Sequence, residues 1–214
     1  MHEAIPLYVF IMAAAAIAAS MVMRRIQPRV LRWFAPFLIV SLLVDIVGRY
    51  MSWHQIVNHW LFNLFTAGEF LFYSYIFLRL IESPKWKKVI VYSILIYPLL
   101  FVANLLWVEG FIHFHTITYR IGSVMVVLWC YLYFRQLMRS PGYTTVTRNP
   151  VFWISTGLMF FYTGFFFYMS AGYILLYTGL KVGTLVWNII SGTLNALLYG
   201  CFLIAFLWGI RKRK

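Results

Sequence analysis

A few polar residues interrupt long apolar stretches of this chain, and their spacing decides what chemistry they offer. Asp45 and Arg49 stand four residues apart, so on a helix they share a face and can neutralise one another. His59, Asn63, Thr66, Glu69 and Tyr73 fall within about 120° of one helical face at roughly 100° per residue. Tyr97 and Asn104 share a face two turns apart, and Arg120 precedes Ser123 by one turn. Thr184, Asn188, Ser191, Asn195 and Tyr199 form a narrow stripe with Gly192 beside it. Glu69 has no basic neighbour on its own helix, which makes Arg49 or Arg120 the expected partners across the bundle. Two chemistries fit. In the first, Arg49 and Arg120 hold an anionic ligand group or Glu69, while Asn63, Asn188 and Asn195 orient the ligand. In the second, the Asn and Ser stripes only hydrogen-bond neighbouring helices, and Asp45–Arg49 only staples them.

The elements that must position these residues follow from composition. Of 214 residues, 63% are apolar, 21% aromatic and 11% charged, against about 45–50% apolar and about 25% charged in ordinary soluble domains. The mean hydropathy is +0.82. A water-soluble fold of this size cannot bury so much apolar side chain, which excludes an ordinary cytosolic or secreted domain. A bilayer core of about 30 Å needs roughly 20 apolar residues in a helix. That length predicts seven spans at about 5–23, 33–53, 57–80, 88–107, 117–138, 151–177 and 183–209. The breaks carry loop signals at Arg24-Arg25-Ile26-Gln27-Pro28, Ser83-Pro84-Lys85, Ser140-Pro141-Gly142 and Thr178-Gly179, and a weaker one at Trp53 to Val57. The N-terminal stretch lacks the basic start of a signal peptide and reads as a retained first helix. The expected fold is all-α, a single seven-helix membrane domain over residues 1–214.

Charge sets the orientation. The 18 Lys and Arg outnumber the 5 Asp and Glu, for a net charge of +13, which in a soluble protein would suggest nucleic acid. Here they gather in alternate connections: Arg24, Arg25, Arg29 and Arg32; Arg79, Lys85, Lys87 and Lys88; Arg135, Arg139 and Arg148; and the tail Arg211 to Lys214. Only Arg49, Arg120 and Lys181 lie elsewhere. The positive-inside rule then places the C-terminus in the cytoplasm and the N-terminus outside, with no nucleic-acid partner implied. Eight of the 9 Trp fall near span ends, as an aromatic belt requires, and Trp129 alone is mid-span. In this orientation Asp45, Arg49, His59, Asn63, Asn104, Arg120 and Asn188 lie in the outer half, with Glu69 and Asn195 near the midplane. The result is a polar funnel open outward above an apolar floor. Such a funnel suits a ligand or signal pocket, whereas alternating access asks for polar lining on both sides.

The histidines share that outward bias. His54, His59, Glu109, His113 and His115 fall in or beside two outer loops, where imidazoles and a carboxylate suit Zn²⁺, Cu²⁺ or a proton. Their spacings, without Cys, fit solvated interfacial histidines equally well. Other chemistries are excluded. No Lys lies within the seventh span for a retinal Schiff base, and no G-x-S-x-G, HExxH or phosphate loop occurs. Asp45 is the sole Asp, so paired membrane aspartates are absent. Cys130 and Cys201 sit in apolar runs and read as buried thiols. No cofactor is implied, and the chain reads as non-enzymatic.

One likeness involves Phe62-Asn63-Leu64-Phe65…Glu69-Phe70, Asn149-Pro150-Val151-Phe152-Trp153-Ile154-Ser155-Thr156-Gly157 and Asn195…Tyr199. Together these resemble a group of bacterial seven-helix membrane proteins with no assigned activity. Some similar modules are sensory inputs for histidine kinases. Together with the outward polar funnel, this favours an inner-membrane sensory or ligand-binding module that takes an unknown small ligand and signals to a cytoplasmic or membrane partner such as a histidine kinase. A small-solute transporter with Glu69 as proton carrier, or an intramembrane lipid-modifying enzyme, are the alternatives.

Overall fold

The computed structural model describes residues 5–139, 143–177 and 184–211, and among them it is entirely helical. The helices are α1 (Leu7–Val22), α2 (Phe34–Trp53), α3 (His59–Leu80), α4 (Pro84–Trp107), α5 (Thr116–Arg139), α6 (Pro150–Tyr177) and α7 (Thr184–Arg211). Short 3₁₀ turns at Arg29–Trp33 and Tyr143–Arg148 lead into α2 and α6. Among the described residues six helices are long and apolar enough to cross a membrane. The exception is α1, whose 16 residues reach about 24 Å. Only 22% of the apolar window of α4 is buried, so its outward surface is aliphatic, as lipid contact requires. The chain is therefore a multi-pass helical membrane protein.

Local signals explain the boundaries. Pro84 occupies the first turn of α4, where its missing N–H costs nothing, so α4 starts four residues before the expected 88. Asn149 caps α6 by accepting the Val151 N–H at 3.0 Å, with Pro150 next. At the weak break after Trp53, α2 ends in a left-handed Gln55 (φ 58), and the Ile56 N–H closes back to the Met51 carbonyl at 2.8 Å. The expected breaks at Ser140-Pro141-Gly142 and Thr178-Gly179, and Lys181, lie outside the described residues.

The chain divides into two compact units, Ile39–Arg139 and Glu3–Leu38 with Ser140–Lys214. In the first, α3 packs on both α4 and α5. Asn63 at the start of α3 meets the residues just before α5, and Gln136 near the end of α5 meets Leu80 at the end of α3, so these helices run parallel. The phenol of Tyr97 on the returning α4 reaches the first turn of α5.

In the second unit α7 packs on α1 and α6. Gly157 faces Leu198 and Cys201 while Gly164 faces Leu194, which fixes an antiparallel α6–α7 register. Gly209 lies against Val22, so the C-terminal ends of α1 and α7 coincide. Phe34, Phe202 and Phe206 form its aromatic centre, with the Phe34–Phe202 rings edge-on at 5.5 Å.

Candidate functional site

The polar end of the first unit is built on the segment between α4 and α5. The α4 helix finishes with Val108 and Glu109 donating their N–H groups to the Asn104 carbonyl. Gly110 then takes a positive φ of 68°, a turn that a Cβ would strain, and the chain reverses toward α5. Asn63, 2% exposed, holds the reversed strand with both ends of its amide. Its Nδ2 donates to the His113 carbonyl at 2.8 Å, and its Oδ1 accepts the His115 N–H at 2.9 Å. The first bond is part-buried and the second buried, and a partner orphaned in buried surroundings costs about 1–3 kcal/mol.

Glu109 is the second anchor. Its carboxylate accepts the Asn104 amide at 2.6 Å, the Thr116 N–H at 3.0 Å, the Ile117 N–H at 3.3 Å and the Thr116 hydroxyl. A negative group on the free N–H groups of the first turn of α5 also complements the helix dipole. Burial alone would raise its pKa, but the hydrogen bonds from Thr116, Asn104 and Ile117 outweigh burial and hold it below the usual carboxylate range. Arg120 folds back along α5, with Nε donating to the Thr116 carbonyl at 3.2 Å and a terminal nitrogen to the Thr116 hydroxyl at 3.4 Å. Thr116 thus links the guanidinium to the carboxylate.

Beside this segment lies a buried acid. Glu69 is 7% exposed and makes neither a hydrogen bond nor an ion pair among the described residues. It lies within electrostatic range of the phenols of Tyr97 on α4 and Tyr119 on α5. The Tyr97 hydroxyl donates to the Thr118 carbonyl at 3.1 Å, and its ring stacks on Phe70 with centroids 3.9 Å apart. Gly122 makes room for this arrangement, since a Cβ there would lie 3.0 Å from the Tyr97 hydroxyl. The Thr118 hydroxyl turns toward the His115 carbonyl at 3.4 Å, so the acid–phenol cluster and the Asn63-held segment are joined through one turn of α5.

The other expected site residues are distributed as follows. Asp45 and Arg49 form the ion pair that their spacing predicts, Nε to Oδ2 at 2.8 Å, each with further interactions. Asn188 is exposed on α7, and the half-buried Asn195 donates to the Ser191 carbonyl of its own helix at 2.9 Å. Both belong to the second unit. The histidines bind local backbone. His54 Nδ1 faces the Tyr50 carbonyl, His113 Nδ1 the Glu109 carbonyl, and His115 Nε2 the Gly110 carbonyl. His59 is exposed at the start of α3. Among the described residues no three His, Cys, Asp or Glu side chains gather to hold a metal. The expected partnership of Glu69 with Arg49 or Arg120 does not form, because Arg49 meets Asp45 and Arg120 meets Thr116.

Sequence reasoning missed Thr116, Thr118 and Tyr119. Tyrosines in a membrane chain read as interfacial belt, and this chain has 15 of them. The usable signal was that Thr116, Tyr119 and Arg120 fall within one turn at the start of a span. No family model, curated protein or solved structure matches the chain.

Proposed function

We propose that the chain is a sensory or ligand-binding module of a bacterial inner membrane, with the N-terminus outside and the C-terminus in the cytoplasm. The observation that carries this reading is a buried Glu69, without a hydrogen bond or ion pair among the described residues, near Tyr97 and Tyr119 and coupled through Thr118 to a segment held by Asn63 and Glu109. A ligand that engages the acid gains leverage on that segment and on the start of α5. Charge placement supports the orientation. At the opposite end of the first unit stand Arg79, Lys85, Lys87, Lys88, Arg135 and Arg139, with Glu82 as the acid among them. There the Gln136 amide bridges the Leu80 carbonyl and the Glu82 N–H, fixing the α3–α4 turn against α5. This basic face is where a cytoplasmic partner such as a histidine kinase would read the state of the bundle.

A second reading draws on the same acid: a buried carboxyl with no fixed partner is what a proton-coupled solute transporter uses as its carrier. Reconstitution separates the two. Binding and counterflow of a panel of small solutes are measured in proteoliposomes carrying wild type or Glu69→Gln. Binding without flux supports the sensory module. Counterflow that disappears in the variant overturns it in favour of transport. A reporter fused after Lys214 tests the orientation, and activity only outside the cytoplasm reverses it.

A further inference from the structure

The α4 helix has two faces of opposite character. Ile90, Ser93, Tyr97 and Asn104 are buried and hold it against α3 and α5. At roughly 100° per residue, Lys85, Lys88, Tyr92, Leu95 and Leu99 line up on the opposite face. All five are exposed, with Tyr92, Leu95 and Leu99 at 61%, 62% and 69%, so no described part of the chain covers this stripe.

The stripe changes composition with depth. Lys85 and Lys88 stand in the first two turns of a candidate span that begins at Pro84, which puts them at the level of phospholipid headgroups. Tyr92 follows Lys88 about 6 Å deeper at 1.5 Å per residue, where an interfacial phenol belongs. Leu95 and Leu99 lie at hydrocarbon depth. The ammonium groups of Lys85 and Lys88 make no ion pair or hydrogen bond among the described residues. Arg79 and Arg139 stand at the matching ends of α3 and α5, and the Gln136 amide pins the α3–α4 turn between them by bonds of 2.8 and 3.1 Å. Glu82 is the one acidic residue within 79–88 and 135–139.

We propose that this face of α4 binds an anionic phospholipid, its phosphate held by Lys85 and Lys88 and one acyl chain lying along Tyr92, Leu95 and Leu99. Uncommitted cations at headgroup depth directly above an exposed apolar track select a lipid. A soluble anion would use the lysines alone. A second copy of the chain in the same membrane would set like charges against like. The site is independent of the sensory reading above.

The test uses the full chain in dodecyl maltoside micelles at low salt, with thermal unfolding and native mass spectrometry. Dioleoylphosphatidylglycerol raises the melting temperature and is retained on the chain; dioleoylphosphatidylcholine and glycerol phosphate do neither. Lys85→Gln with Lys88→Gln weakens lipid binding at least about tenfold, whereas Lys85→Arg with Lys88→Arg retains it. Lys87→Gln, about 100° round the helix from Lys88, changes binding less than about twofold. Leu95→Ala with Leu99→Ala weakens it roughly threefold or more. Equal effects of the two lipids on the wild type overturn the assignment. Binding undiminished in the paired Gln variant, or lowered as much by Lys87→Gln, does the same. A phosphatidylglycerol effect matched by glycerol phosphate assigns the lysines to a soluble anion instead. Dimers in lipid-free micelles that dissociate on Leu95→Ala with Leu99→Ala assign the stripe to a second copy and overturn the lipid.

Discussion

The two units solve the same problem, holding apolar helices together where lipid offers no hydrophobic drive, by different means. The second unit does so through close approach. Ala15, Ala16, Ala18 and Ala19 of α1 are buried, and Gly157, Gly164 and Gly209 let neighbouring helices approach at van der Waals distance. Small residues at such contacts allow dispersion to act over long stretches of backbone. In the first unit polar clamps take over. Asn63 and Gln136 each use both ends of an amide to tie α3 to segments at either end of α5, and Glu109 secures the helix start. Close packing needs no charged group to hold it, whereas a hydrogen-bonded clamp can be released by a proton or a competing ligand. The sensory reading proposed above would use the clamps of the first unit for response and the close packing of the second as scaffold.

Substituting the glycines tests the scaffold half of this contrast, where the largest effect is expected. A Cβ on Gly157 would lie 2.8 Å from the Cys201 Cβ and 3.2 Å from the Leu198 carbonyl oxygen, neither of which can rotate away. Gly157→Val should therefore force α6 from α7 and cost about 3 kcal/mol or more, read as a lowered unfolding midpoint in detergent. Gly192 on the same helix pair has nothing within 4 Å, so Gly192→Ala should be neutral or slightly stabilising. Equal effects from the two substitutions would remove close approach as the organising feature of this unit.

The clamps of the first unit come next. Asn63→Ala deletes one part-buried and one buried hydrogen bond and strands the His113 carbonyl and the His115 N–H. It should cost about 2–3 kcal/mol locally, seen as faster hydrogen exchange at residues 113–118 with α6 and α7 unaffected. Gln136→Ala acts at the opposite end on more exposed groups and should cost about 1 kcal/mol, with exchange raised at residues 80–83. If Asn63→Ala loosens both units equally, the division between clamp and scaffold fails.

These clamps also mark where sequence reading stops. Six of the seven expected spans were legible because lipid demands about 20 apolar residues, whereas the expected first span is a helix of only 16 residues. Most helix ends fell within a few positions of the expected ones. The Asp45–Arg49 pair was legible because its spacing is local. Asn63 announced itself as a costly polar residue, but its partners stand some fifty positions away, and no periodicity encodes that distance. Glu109 beside His113 and His115 suggested a metal ligand. The reversal at Gly110 turns its carboxylate onto the first turn of α5 instead. Arg120 looked available for an anion because its use within its own turn depends on a side-chain rotamer, which spacing does not specify.

Glu109 gives the smallest effect and the finest test of how releasable the clamp is. Its folded-state pKa lies below the ordinary carboxylate value, so its contribution is complete above the unfolded value of about 4.3 and fades as pH falls through the lowered folded value. Protonation removes the charge that faces the Thr116 and Ile117 N–H groups and weakens the start of α5. Because the carboxylate is half exposed, the loss should be about 1 kcal/mol or less. Acidification from pH 6 to below pH 4 should therefore raise hydrogen exchange at residues 109–118 while residues 198–206 of α7 stay protected. In Glu109→Gln the exchange should already be raised at pH 6 and respond less to acid. An acid response of the same size in the variant would transfer the pH sensitivity to another group.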